Sequence, residues 1–195
     1  MTGSLKISPA ELAFDIDGVV ADTMSLFLAI AEAEFGINHI RYEQITDYDL
    51  NGAAGIDEKV MWEIILRILE GKYTMPLDPI RHAPEVLKRI NICCRPTLFV
   101  TARPEAGHIS QWLCRVMHVQ PESIEVVATG SFEDKCGVLA ERNISHFVED
   151  RLETCYLLAE QGIRPIVFAQ PWNRKNHPFR EVQTWRELES MIAME

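Results

Sequence analysis

The chain has no apolar run approaching the roughly 20 residues that a membrane-spanning helix requires, because charge interrupts each longer apolar stretch within a few residues. A membrane partner is therefore not expected. Cysteines at Cys-x-x-Cys spacing are also missing: Cys93, Cys94, Cys114, Cys136 and Cys155 form an odd set of five. That pattern argues against a disulfide framework and against a zinc knuckle, and the five read as reduced, mostly buried thiols. Basic residues are scarce. Nineteen Lys and Arg stand against 29 Asp and Glu, for a formal net charge of −10, and no long basic block occurs. Such a field repels polyanions, which excludes a nucleic-acid polymer as partner; a small anionic substrate would need a local cation. The six histidines show no metal-ligand spacing. Residues 1–9 carry one lysine and no apolar core segment, unlike a secretory signal, so a cytoplasmic location is expected.

Internal repeats, low-complexity tracts and linkers rich in Gly, Ser or Pro are absent as well. With 195 residues and 47% apolar content, the chain can bury one core and a small inserted unit, but not two large domains. Architecture then has to come from periodicity. Leu12-Ala13-Phe14 is a short apolar strand ending at Asp15. After a turn at Gly18, Thr23 can cap a helix over residues 24–35 that Gly36 stops. Residues 37–54 hold no sustained period, whereas residues 58–70 place Met61, Ile64, Ile65, Ile68 and Leu69 at helical spacing.

Beyond Pro76 and Pro79 the pattern becomes regular. A helix over residues 84–92 leads into Thr97-Leu98-Phe99-Val100, a β-rich run that ends at Thr101. Helices over residues 105–117, 133–141 and 152–161 then alternate with strands over residues 124–128, 146–148 and 166–168. Short apolar strands alternating with helices predict an α/β fold with a Rossmann-like parallel sheet covered by helices on both faces. Ligands in such sheets sit at the carboxyl ends of strands, where Asp15, Thr101 and Asp150 fall. Residues 24–81 read as a helical insertion over that edge.

Phe14-Asp15-Ile16-Asp17-Gly18 sets two carboxylates at positions i and i+2 directly after an apolar strand. In extended geometry both point the same way, and Gly18 lets the chain turn so that both face one ligand. An isolated Asp-x-Asp more often marks a surface turn; the apolar strand before this one argues for a site. Close carboxylates repel, so a shared proton or a bound cation is expected, and hard oxygen ligands favour Mg²⁺.

Asp15-Ile16-Asp17-Gly18-Val19-Val20-Ala21-Asp22-Thr23 resembles the first motif of the haloacid dehalogenase (HAD) superfamily. Leu98-Phe99-Val100-Thr101-Ala102-Arg103 resembles the second, Lys135 the third, and Phe147-Val148-Glu149-Asp150 the acidic fourth. They occur in the family's order and span the chain from Asp15 to Asp150. The resemblance implies a core of residues 1–23 and 82–195, with residues 24–81 as a helical cap inserted after the first strand. It implies a Mg²⁺-dependent phosphomonoester hydrolase in which Asp15 attacks phosphorus and forms an aspartyl-phosphate. Asp17 would protonate the leaving oxygen and later take a proton from water. The dehalogenase branch lacks a carboxylate at that position. Thr101 would hydrogen-bond a phosphoryl oxygen and Lys135 would neutralise phosphate and nucleophile. Asp15, Asp150 and the backbone carbonyl of Asp17 would hold the metal, with Glu149 as a candidate contact through water. The substrate side would comprise Thr101, Ala102, Arg103 and Lys135.

Taken singly these signals are weak. A strand-end threonine or a helix lysine is ordinarily structural, and Arg103 can equally open a helix in a surface pair. A thiol beside Lys135 can be activated, but Cys136 reads more simply as buried and inert. Within the superfamily, the cap length, the Thr-Ala-Arg-Pro run and Gln170-Pro171-Trp172-Asn173-Arg174 resemble the 5′(3′)-deoxyribonucleotidase-like branch, which implies a nucleoside monophosphate as substrate. Phe27, Phe35, Tyr42, Tyr48 and Trp62 can stack on a base or simply fill the cap core. Sugar phosphates or other small phosphorylated metabolites are the alternative substrates. A non-catalytic binding protein on the same fold is the alternative of another class, and the presence of every expected carboxylate speaks against it.

Overall fold

Burial on both faces explains why the first strand, β1 (Leu12–Phe14), is apolar at every position rather than alternating: all three residues are buried. In the computed structural model, which describes residues 6–48, 50 and 56–194, β1 lies inside a sheet of six. The others are β2 (Thr97–Thr101), β3 (Ile124–Ala128), β4 (His146–Glu149), β5 (Arg164–Phe168) and β6 (Arg180–Val182). Their order is β3-β2-β1-β4-β5-β6, and every pairing is parallel. Phe14 sits opposite Phe99 on one side and Val148 on the other, so β1 is flanked by β2 and β4. The chain order reverses at β1, and a crevice opens beyond the strand ends at such a switch point.

Among the described residues there are seven α-helices, of which the first six lie between strands and the last follows β6: α1 (Thr23–Phe35), α2 (Glu58–Leu69), α3 (Ala83–Cys93), α4 (Gly107–Met117), α5 (Lys135–Glu141), α6 (Leu152–Glu160) and α7 (Trp185–Ser190). The α/β alternation expected from periodicity is the architecture found. β6 and α7 were not anticipated. Only Val182 of β6 is buried, and α7 spans six residues, so neither presents a full hydrophobic period. Trp185 of α7 nonetheless packs on Phe14 and Phe168 and donates from Nε1 to the carbonyl of Val19 at 2.8 Å.

Among the described residues, no strand interrupts the path from α1 to α3. Both ends of this segment meet at one place: the amide of Asp22 donates to the carbonyl of Asp78 at 2.9 Å, and that of Ile80 to the carbonyl of Val20 at 2.7 Å. α1 begins differently from expectation. Asp22, not Thr23, caps it, its Oδ1 accepting from the amide of Ser25 at 3.1 Å, and Thr23 is thereby released for another contact. The stop at Gly36 is as expected, with φ +68°. The aperiodic stretch contains a 3-10 turn at Tyr42–Gln44. Its residues 49 and 51–54, like the first five residues of the amino-terminal segment, lie outside the described residues.

The cysteines are free, but the expectation that most are buried is corrected: only Cys155 is buried, Cys93 is exposed, and the other three are half-buried. They sit along helices that cover the sheet, where only one stripe faces inward. Among the described residues, no helix is long and apolar enough to cross a membrane.

Candidate active site

Asp15 follows the last residue of β1, Thr101 closes β2, and Glu149 with Asp150 ends β4, so adjacent strands deliver four polar residues to one edge of the sheet. All four are buried, and so is Lys135 at the start of α5. Burying this many charges is costly unless they are paired. Lys135 Nζ lies 3.0 Å from Asp15 Oδ1 and 2.8 Å from Glu149 Oε2. One ammonium thus faces two of the carboxylates, and Asp150 remains outside that pairing.

The remaining negative charge shows in the ionisation of the group. Burial, helped by Glu149 and Asp17 and opposed by Lys135, pushes the Asp15 carboxyl up to about 7. Burial with Glu149 and Asp15 nearby raises Asp150 well above the usual carboxylate range. Lys135 moves the other way from a typical buried lysine: burial favours its neutral form, but Asp15 and Glu149 together hold it charged. Asp150 Oδ1 is buried without a hydrogen-bond partner. One oxygen each from Asp15, Glu149 and Asp150 lies within 4.8 Å of the others. An all-oxygen set with an orphaned buried carboxylate oxygen fits a hard divalent cation such as Mg²⁺. Glu149 is the least available donor, because Oε2 takes Lys135 and Oε1 accepts from the amides of Asp150 and Arg151, each at 3.1 Å.

Asp17 stands slightly apart, on the turn after Ile16, with its side chain 22% exposed. Gly18 makes that turn, at φ +73°, where a Cβ would lie 2.1 Å from Asp150 Oδ2; the position requires glycine for conformation and for space. Arg103 Nε donates to Asp17 Oδ2 at 2.8 Å and Nη2 to Oδ1 at 2.7 Å, and the Thr23 hydroxyl donates to Oδ1 at 2.5 Å. Burial works against ionisation of Asp17, but the Arg103 charge and these bonds outweigh it and hold the carboxyl below its ordinary range. The alternative that Arg103 opens a helix in a surface pair is corrected by this geometry, which turns the guanidinium inward onto Asp17. The Arg103 side chain is 1% exposed, and Nη1 is also committed, to the carbonyl of Ile68 at 3.2 Å. Ala102, in the bend after β2, is half-buried. The thiol of Cys136 is pushed up by burial, which outweighs Lys135.

The segment after β5 completes the enclosure. Trp172 Nε1 donates to Asp150 Oδ2 at 2.9 Å, Asn173 Nδ2 to the carbonyl of Asp150 at 2.8 Å, and Gln170 Nε2 to the carbonyl of Gly18 at 2.6 Å. Trp172 therefore braces a carboxylate. Tyr48 meets Phe132 and Trp172 edge-on, and the Arg151 guanidinium lies 4.3 Å from the Phe132 ring centre. Tyr42 packs on Trp172 and donates to Gln170 Oε1 at 2.7 Å. Of the other aromatics in the helical segment, Phe27 is core, Phe35 lies under Arg67, and Trp62 is 51% exposed. Phe132 and Arg151 carried no sequence signal, since each acquires its place only through folding.

A sequence model described as "5′ nucleotidase, deoxy (Pyrimidine), cytosolic type C protein" matches residues 9–195. The provisionally named nucleotidase BH1399 of Halalkalibacterium halodurans is 25% identical over 183 residues, covering 91% of this chain and 90% of that protein. The haloacid dehalogenase-like hydrolase SP0104 of Streptococcus pneumoniae superimposes with a TM-score of 0.57 at 11% identity, over 97% of this chain and 99% of that one. A HAD-superfamily hydrolase of Ehrlichia chaffeensis gives 0.53 at 14% identity, over 93% and 95%. At such identities the two structures show a shared fold.

Proposed function

The chain belongs to the cytosolic type C 5′-nucleotidase family of HAD-fold hydrolases, and on that footing we propose that it hydrolyses nucleoside monophosphates through an aspartyl-phosphate on Asp15. The observation that carries the reading is the meeting, at one sheet edge, of three buried carboxylates with a buried lysine 3.0 Å from the first of them. A phosphoryl transition state spreads negative charge over its oxygens, and fixed positive groups aimed there lower the barrier.

In this reading Asp15 Oδ attacks phosphorus, and the bond to the leaving oxygen breaks as Asp17 supplies a proton, for which the Asp17 carboxyl has first to leave the Arg103 guanidinium that holds it ionised and take up that proton. Asp17 then takes a proton from the water that cleaves the acyl-phosphate, which returns Asp15 as a carboxylate. Lys135 balances charge on Asp15 and on the incoming phosphate while Glu149 holds the ammonium in place. Thr101 and the backbone at Ala102 bind phosphoryl oxygens at the end of β2. Asp15, Asp150 and the Asp17 carbonyl would hold Mg²⁺, which when bound supplies further charge neutralisation at the phosphate. Residues 24–81 act as a cap over a core formed by residues 1–23 and 82–195. The clasp between residues 20–22 and 78–80 supports that division, because the segment leaves and rejoins the core at one point. A cytoplasmic place of action accords with a small-metabolite substrate.

A screen of the purified protein with Mg²⁺ against nucleoside monophosphates and sugar phosphates tests the proposal. Turnover of nucleotides is expected, and Asp15→Asn or a chelator should each reduce it by at least about a thousandfold. Turnover that survives both changes would overturn the assignment to this site. Neglect of every nucleotide would overturn the nucleotidase reading and leave the other phosphomonoesters.

A further inference from the structure

The indole of Trp172 lies where a carboxylate of the candidate metal set meets the helical segment. Its Nε1 donates to Asp150 Oδ2 at 2.9 Å, and Asp150 Oδ1 is left buried without a hydrogen-bond partner. Glu149 offers the contrast. Its Oε2 is spent on the Lys135 ammonium at 2.8 Å, whereas an indole N–H is a neutral group that only donates. Trp172 therefore fixes the plane of the Asp150 carboxylate without neutralising it, and it cannot itself compete for a cation.

The indole stands on a fixed base. It belongs to the 3-10 turn Pro171–Asn173. The Gln170 amide donates to Asn173 Oδ1 at 2.9 Å, and Asn173 Nδ2 donates to the carbonyls of Phe168 and Asp150, each at 2.8 Å. Trp172 is 5% exposed, and the rings of Tyr42 and Tyr48 pack on it with centres 5.8 and 6.4 Å away. Both tyrosines come from residues 24–81. Two rings of the helical segment thus rest on the group that holds a carboxylate of the sheet edge.

We propose that Trp172 is a positioning residue for the divalent cation: its N–H sets Asp150 so that Oδ1 is the oxygen offered to the metal, and the packing of Tyr42 on its ring links the seating of the helical segment to cation affinity. This rests on the reading of Asp150 as a metal-holding residue. Such a linkage is reciprocal, so a seated segment favours the cation and a bound cation favours seating. Outer partners that orient a metal-binding carboxylate are worth roughly 10–100-fold in metal affinity.

Mn²⁺ alone is the probe, since it accepts the same oxygen donors and its free form is counted by electron paramagnetic resonance. Trp172→Phe keeps an aromatic ring and removes the N–H. Its Kd for Mn²⁺ should rise by about 10–100-fold with the number of sites per chain unchanged. Turnover at saturating Mg²⁺ should return to within about threefold of the parent. Tyr42→Ala should raise Kd by about two- to tenfold, the worth of one aromatic pair. Added to Trp172→Phe, where the ring no longer holds Asp150, the same change should raise it by less than about twofold. Tyr42→Phe, which loses only the hydroxyl bond to Gln170, should stay within about twofold of the parent because the ring contact persists.

An unchanged Kd in Trp172→Phe would overturn the proposal, as would a loss of sites at unchanged Kd, the mark of a merely structural role. Equal effects of Tyr42→Ala with and without the indole N–H would also overturn it, and so would an equal effect of Tyr42→Phe, which would run through Gln170 instead. If Trp172→Phe fails to fold, Tyr42→Ala decides against Tyr42→Phe, and equal affinities there overturn the proposal. Asp150→Asn is the reference. If it leaves Mn²⁺ binding intact, the role given to Asp150 falls and the inference with it; if it weakens binding and Trp172→Phe does not, only the present inference falls.

Discussion

Asp15 and Asp17 are two residues apart and ionise in opposite directions, which follows from their neighbours and not from their spacing. Asp17 has a guanidinium to itself, whereas Asp15 shares one ammonium with Glu149. The consequence for stability can be worked out for Asp15. Its folded carboxyl titrates near 7 against an ordinary 3.8, so between those pH values the folded chain binds more protons than the unfolded one, and stability falls as pH rises. The destabilisation is complete above about pH 7 and absent below about pH 4. With a chelator present, Asp15→Asn should therefore be more stable than the parent at pH 8, by urea or thermal unfolding. The gap should close toward pH 4; a gap that is constant with pH would contradict this. At this scale the sequence was readable for the residues that folding leaves at strand ends, namely Asp15, Thr101 and Asp150. It was silent on the partners of Arg103, which lie 86 and 35 positions away and cannot be inferred from local pattern.

The short elements around the site carry a second lesson. The turn at Gly18 and the segment at residues 170–173 both close on Asp150. Gly18 leaves room for its carboxylate, while Trp172 donates to that carboxylate and Asn173 to the Asp150 backbone carbonyl. Gly18→Ala introduces a Cβ into a left-handed position and 2.1 Å from Asp150 Oδ2. The backbone strain alone costs about 1–3 kcal/mol. Displacement of Asp150 by an ångström or so should lower turnover by about a hundredfold or more. Urea unfolding and steady-state kinetics on the variant measure both; wild-type turnover would show that the tight approach is not needed. Strands and helices with a full apolar period were legible to within a residue or two, as the bounds of β3 and α2 show. The start of α1 was misplaced by one cap, because Asp22 and Thr23 are both good capping residues and only tertiary structure decides between them. β6 and α7 escaped because three and six residues are too few to establish a period.

Across the whole molecule, the strand order does what no local signal can: it places β2, β1 and β4 side by side, although their sequence positions are separated by well over a hundred residues from β1 to β4. The segment of residues 24–81 extends from this edge and contributes Tyr42 and Tyr48 to the wall around Trp172. An acidic protein can gather carboxylates there because Lys135 offsets part of their charge, and the proposed cation the rest. The structure of the protein with Mg²⁺ and beryllium trifluoride, a mimic of an acyl-phosphate, tests this account most directly. Beryllium bonded to an Asp15 oxygen, its fluorines facing Lys135 and Thr101 and the metal touching Asp150, is the predicted result. Beryllium trifluoride bound away from Asp15, or a metal that avoids both Asp15 and Asp150, would contradict it.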